Sequence, residues 1–301
     1  MFYKALGFAL TLLWTFTLAI PKALTSEISI SPTRFEVDIN GKKRSQLITI
    51  TNHSSEPLEM KAYVKNWTLD ENNQVQEAPS SEKTLDQWII FTPSRFTVPP
   101  NSKQTVRFSI RPKVQPANGE HRAILYLEEA PPENNNTSKT VATYARMGIV
   151  IYANMGQVKR IATLNSINVN VKPKNTVASF DVSSIGNGYV RFKGQYAIWS
   201  AANYPGAKTT TSIPGLGTPQ VKLPNNVLQA GELELPPVLP GNRRQLLLPL
   251  SKKLPPGNYV LDINGELSGM PVDKGIPFTI ITGNSISPTS KSSAVKASSQ
   301  K

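Results

Sequence analysis

Apolar and polar residues alternate with a period of two along most of this chain. In "QTVRFSI" (104–110) Val106, Phe108 and Ile110 fall on one face, and Arg107 and Ser109 on the other. That is the pattern of a strand with one buried face. "SQLITITN" (45–52) and "EMKAYVKNW" (59–67) repeat it, with Met60, Ala62 and Val64 sharing a face, and the turn "NHSSEP" between them closes on proline. "FTPSRFTVPPNSKQ" (91–104) joins two short strands through proline corners. A seam is expected near "ANMGQ" (153–157), after which "LNSINVNVK", "VASFDV" and "GYVRFKGQYAIW" restart the alternation. In the last of these Val190, Phe192, Tyr196 and Ile198 form one face, with Gly194 leaving a gap or bulge. Residues 201–219, rich in Gly, Pro, Ser and Thr, read as a long loop; "RQLLLPL", "YVLDI" and "IPFTII" then supply three more strands. No stretch holds a helical period over three turns. Short strands at this spacing, without helices between them, predict an all-β protein built of two antiparallel sandwiches.

The ends read differently. "MFYK" is a short basic start, "ALGFALTLLWTFTLAI" (5–20) is apolar and uncharged, and "PKALTS" offers small residues for cleavage between Ala23 and Ser26. Residues 1–26 are therefore expected to be a secretory signal, since the apolar run falls short of a spanning helix. No stable membrane span is expected once it is removed. At the other end, 282–301 is rich in serine and lysine without an acid, and is expected to be a disordered tail. Between them lie two domains, 27–152 and 153–281.

Composition narrows the chemistry. There is no cysteine, so thiol catalysis and cysteine metal sites are excluded and both domains must be held by burial alone. The net charge of +13 is dispersed and accompanied by no nucleic-acid reading motif, so an exported basic surface is expected rather than a nucleic-acid partner. Of the two histidines, His53 sits in a polar turn and His121 beside Glu120; neither has a second histidine at ligand spacing. "DENNQVQE" (70–77) has Val75 where a calcium loop needs glycine, and reads as a hairpin turn. No catalytic residue, metal site or cofactor is expected, and the protein is read as a non-enzyme.

One stretch poses a functional question. "GEHRAILYLEEAPP" (119–132) is a strand closed by prolines, followed by asparagines and a second long apolar stretch, "TVATYARMGIVIYA" (140–153). Together with "ISPTRFEVD", "LITITNHSSEPLEMKAYVKNW" and "FTPSRFTVPPNSKQTVRFSI", in this order and spacing, it resembles the N-terminal domain of the periplasmic pilus-assembly chaperones, the PapD-like family. Residues 158–281 are similar more loosely, through "GNGYVRFKGQYAIW" and "LPPGNYVLDINGEL".

The resemblance implies two immunoglobulin-like sandwiches set at an angle and a periplasmic location. It implies a mechanism in which a mobile loop, "EAPPENNNTSK", precedes an edge strand lent to a pilus or surface-protein subunit. An outer-membrane usher would be a further partner. The strand-donor positions fall on Thr140, Ala142 and Tyr144. Arg34 falls where the family grips its client's terminal carboxylate, a task suited to the planar guanidinium fork. The second basic cleft position falls on Ile149, and Arg146, three residues earlier, would point to the opposite face. Glu120 matches an acid that the family pairs across the domains, although its partner position holds Ala153. The residues alone leave a second reading open: a structural or adhesive immunoglobulin-like surface protein that handles no client.

Overall fold

A computed structural model describes residues 28–41, 45–130, 144–172, 175–250 and 253–281. The expected signal (1–26), the expected tail (282–301) and the donor positions Thr140 and Ala142 lie outside the described residues.

The first domain is formed by β1 (Ile28–Ser31), β2 (Arg34–Asp38), β3 (Ser45–Asn52), β4 (Leu58–Lys65), β5 (Trp67–Leu69), β6 (Val75–Glu77), β7 (Ile89–Thr92), β8 (Arg95–Val98), β9 (Lys103–Ile110), β10 (Gly119–Glu129) and β11 (Arg146–Met155). A four-stranded sheet, β1-β3-β9-β7, faces a five-stranded sheet, β2-β11-β10-β4-β8. The alternation seen in the sequence does the packing: Val106, Phe108, Ile110, Met60 and Ala62 all point into one core, where Phe35 meets Phe108 edge-on at 5.0 Å across the two sheets. Each such ring taken out of water contributes about 1.5–3 kcal/mol.

The second domain repeats the plan with β12 (Ala162–Val171), β13 (Thr176–Ser184), β14 (Phe192–Ser200), β15 (Val227–Glu232), β16 (Arg243–Leu250), β17 (Gly257–Leu267) and β18 (Met270–Ile280). Its sheets are β12-β13-β16 and β15-β14-β17-β18. Val190, Phe192, Tyr196 and Ile198 share its core, as the alternation predicts, and Phe180 meets Phe192 at 5.3 Å. Gly194 turns out to fill the gap role. It stands opposite Gly265 with φ of 139°, and a Cβ there would lie 2.4 Å from the Asn264 carbonyl oxygen. The register shift in β14 comes later, between Ile198 and Trp199. Both domains are thus immunoglobulin-like β-sandwiches, and among the described residues no helix is long and apolar enough to cross a membrane.

A third apolar cluster joins the domains. Ile124, Tyr126 and Tyr152, on the outer face of the five-stranded sheet, together with Trp67 and Leu69 of β5, bury against Tyr189 and Leu239 of the second domain. Arg244 reaches across to the β5–β6 hairpin, donating to the carbonyl oxygens of Asp70 at 2.6 Å and Leu69 at 2.9 Å. The Gly186–Gly188 turn packs so tightly on the link after β11 that a Cβ at Gly186 would sit 1.9 Å from the Lys159 carbonyl oxygen.

Candidate functional site

The site is built where β2 begins. The chain leaves the four-stranded sheet after β1, passes Pro32 and Thr33, and enters the five-stranded sheet only at Arg34. There β2 pairs in parallel with β11, but the register starts at Arg34 opposite Val150 and covers only Val150–Asn154. On its other side β11 pairs with β10 from Arg146 onward. Residues 146–149 are therefore held by one neighbour, and no described strand lies along their outer edge.

Backbone directions follow from three hydrogen bonds. The Val150 N–H donates to the Thr33 carbonyl at 3.0 Å, and the Asn154 carbonyl accepts from the Ile39 N–H at 2.9 Å, so even-numbered residues of β11 bond toward β2. The Ala145 carbonyl accepts from the Glu129 N–H at 2.9 Å, so odd-numbered residues bond toward β10. The N–H and C=O groups of Arg146 and Gly148 consequently point out of the open edge. Such a row of unpaired backbone groups is a template for another strand.

Side chains alternate with the same parity. Ile149, Ile151 and Ala153 enter the first core, while Val150 and Tyr152 join the interdomain cluster. This corrects the expectation for Ile149, which is 1% exposed and packed inside the sandwich, so its side chain is closed to a client. Arg146 does lie on the opposite face, over the Tyr126 ring at 4.8 Å. Tyr144 precedes the strand and is exposed. The expected strand beginning at residue 140 is seen here from Arg146.

Arg34 stands at the end of the open edge, in an interdomain cleft. Its guanidinium donates to Glu36 at 2.6 Å and also to the Tyr189 hydroxyl, and it lies 5.2 Å from the Tyr152 ring centroid and 5.1 Å from that of Tyr189. Two more arginines reach the same Tyr189 ring, Arg160 at 5.0 Å and Arg191 at 6.0 Å. Glu36 also receives Arg160 at 3.4 Å. Glu120 lies beneath them, its carboxylate accepting the Tyr189 N–H at 3.0 Å with the other oxygen buried and unpartnered. Burial pushes its carboxyl up to about 7, against the opposing pull of Arg122 and Arg160. Glu120 thus holds the domains together through a backbone amide, which explains how it crosses the boundary with Ala153 in its expected partner's place.

Composition and spacing did not point to Glu36, Arg160, Tyr189 or Arg191. A signal existed for some. Glu36 is two residues from Arg34 and so shares its strand face, and Tyr189 and Arg191 alternate with core residues Val190 and Phe192. The two histidines are satisfied structurally: His53 bonds to Ser29 at 2.9 Å, and His121 to the Ala117 carbonyl at 2.9 Å. Among the described residues no group of His, Cys, Asp or Glu could hold a metal.

Residues 27–153 match the profile described as "Pili and flagellar-assembly chaperone, PapD N-terminal domain". No curated protein sequence matches the chain. Among solved structures, the chain is similar to the YadV chaperone, with 12% identity, a TM-score of 0.44, and coverage of 84% of this chain and 100% of that one. It is also similar to a chain of the CsuC–CsuE chaperone–tip adhesion subunit complex of Acinetobacter baumannii (12%, 0.42, 83% and 97%). The Pseudomonas aeruginosa CupB2 chaperone gives 14%, 0.39, 82% and 100%.

Proposed function

We propose that this chain, whose residues 27–153 belong to the PapD N-terminal domains of the pili and flagellar-assembly chaperones, is a periplasmic chaperone that binds pilus or surface-protein subunits by lending them a β-strand. The observation that carries the reading is the half-covered edge of β11, open over 146–149 and closed from Val150 onward by β2. A subunit strand laid along that edge would gain main-chain hydrogen bonds from Gly148 and Arg146. Tyr144, Ala142 and Thr140 would extend the lent strand and offer their side chains to the subunit's groove.

The charge at the end of the edge selects the guest's direction. A guest parallel to β11 lies in line with β2 and brings its C-terminus to Arg34, where the guanidinium can bind a carboxylate. An antiparallel guest would bring its N-terminal ammonium there, against like charge. Binding of this kind involves no covalent step, which fits a non-enzyme. The apolar run at residues 5–20 supports export to the periplasm. An outer-membrane usher would take the loaded complex onward.

Affinity capture from periplasmic extract, with identification of what is bound, tests the reading. It predicts pilus or surface subunits among the captured proteins, lost when Arg34→Ala is used as bait. Capture of cell-surface polymer without any subunit would favour the structural or adhesive reading.

A further inference from the structure

Beside Arg34 the cleft holds a second cation, Arg191, that no described ion pair neutralises. Arg191 immediately precedes β14 and is fixed at its backbone from both sides. Its N–H donates to the Ser268 hydroxyl at 3.0 Å, and its carbonyl accepts the Ser268 N–H at 3.1 Å. Its Nε is buried with no hydrogen-bond partner, and among the described residues no ion pair includes it. Glu232 and Glu234 line the same groove, of about 840 Å³, yet neither bonds to it. Arg34 lines that groove from the first domain. Both guanidiniums reach the Tyr189 ring, at 5.1 Å for Arg34 and 6.0 Å for Arg191. Burial, and next the charge of Arg34, lower the pKa of Arg191, opposed by its hydrogen bond with Tyr152 and by the charge of Glu36. Two like charges on one ring, one with a buried unpartnered Nε and no described ion pair of its own, favour an anion that reaches both.

We propose that Arg191, from the second domain, is the second cation of the carboxylate seat whose first is Arg34. The inference rests on the strand-lending reading, and it places the guest's C-terminal carboxylate across the domain boundary rather than on the first domain alone. Position 149, sealed in the core, leaves the first domain without a second cation there. Arg191 supplies it from the facing wall, with a forked donor set suited to an oxyanion.

The test is NMR observation of the arginine Nε–Hε resonances together with calorimetry. The probes are an acetylated nonapeptide of alternating valine and threonine, made as C-terminal acid and as amide, then acetate and inorganic phosphate against sodium chloride of equal ionic strength. The acid peptide should move the Arg34 and Arg191 signals and bind about tenfold tighter than the amide, the worth of one charge-assisted hydrogen bond. Arg191→Gln should erase most of that acid–amide difference while leaving amide binding unchanged, and Arg191→Lys should restore part of it. Because acid and amide are compared within one variant, a general loss of folding cannot imitate the result. An acid–amide difference that survives Arg191→Gln overturns the proposal, as does phosphate binding more tightly than the acid peptide. If neither peptide binds, the strand-lending reading fails by itself and acetate decides the seat: movement of both arginine signals supports it, and a silent Arg191 overturns it.

Discussion

Glu36 and Tyr189, 153 residues apart and in different domains, are joined by a 2.6 Å hydrogen bond from the tyrosine hydroxyl to the carboxylate. The same oxygen receives Arg34 at 2.6 Å. A carboxylate of the protein's own thus sits on the cation proposed to hold the guest's carboxylate, and the free cleft is closed by an internal stand-in.

Removing that competitor should strengthen binding. Glu36→Gln keeps the shape and removes the charge. Glu36 is 42% exposed at its side chain, so the pair it forms is a weak one. The acid peptide should bind roughly twofold to fivefold tighter to the variant by calorimetry. Weaker binding would show that Glu36 supports the seat rather than occupying it.

Glu120 sets a pH dependence of stability. Its carboxyl titrates at about 7 in the folded chain, against an ordinary value of 4.5. Between those two values the folded state keeps a proton that the unfolded state has lost, so stability falls as pH rises and levels off above about 7. Arg122, Arg160 and Arg34 oppose the shift and Glu36 adds to it. The loss should be of order 1–3 kcal/mol. Glu120→Gln should flatten the fall of the thermal unfolding midpoint across that window. A wild-type profile that rises through this window would contradict the assignment.

Arg244 should act as an interdomain clamp. Arg244→Ala loses two charged hydrogen bonds to the Leu69 and Asp70 carbonyls. A cost of about 1–2 kcal/mol is expected after discounting for solvent access. Chemical denaturation measures it, and hydrogen exchange should speed up in the β5–β6 hairpin while β3 and β9 stay protected.

Much of the fold was legible because one-sided burial writes itself as alternation. β3, β9 and β10 fall where Ile48, Val106 and Leu125 demand them. β15 was not foreseen, since "VLQAGE" carries little alternation and is held as a strand by its pairing with β14. In β11 the run Ile149–Tyr152 is apolar on both faces, because one faces the core and the other the second domain. Such a run does not say which face is the core, and the family register that placed Ile149 in the cleft carries no information on burial. The cleft was the least legible part: Arg34, Arg160 and the Tyr189–Arg191 pair come from three separate segments and meet only through the docking of two domains.

The central claim is that the edge of β11 is open in the free chain and filled by a subunit strand in the complex. Amide hydrogen exchange, resolved by NMR on the free chain and on the chain loaded with a captured subunit, tests it most directly. In the free chain Arg146 and Gly148 should exchange fast while Met147 and Ile149, bonded toward β10, exchange slowly. Loading should slow Arg146 and Gly148 to the rates of their neighbours. Equal protection of all four residues with and without the subunit would mean that the edge is never lent, and would contradict the account.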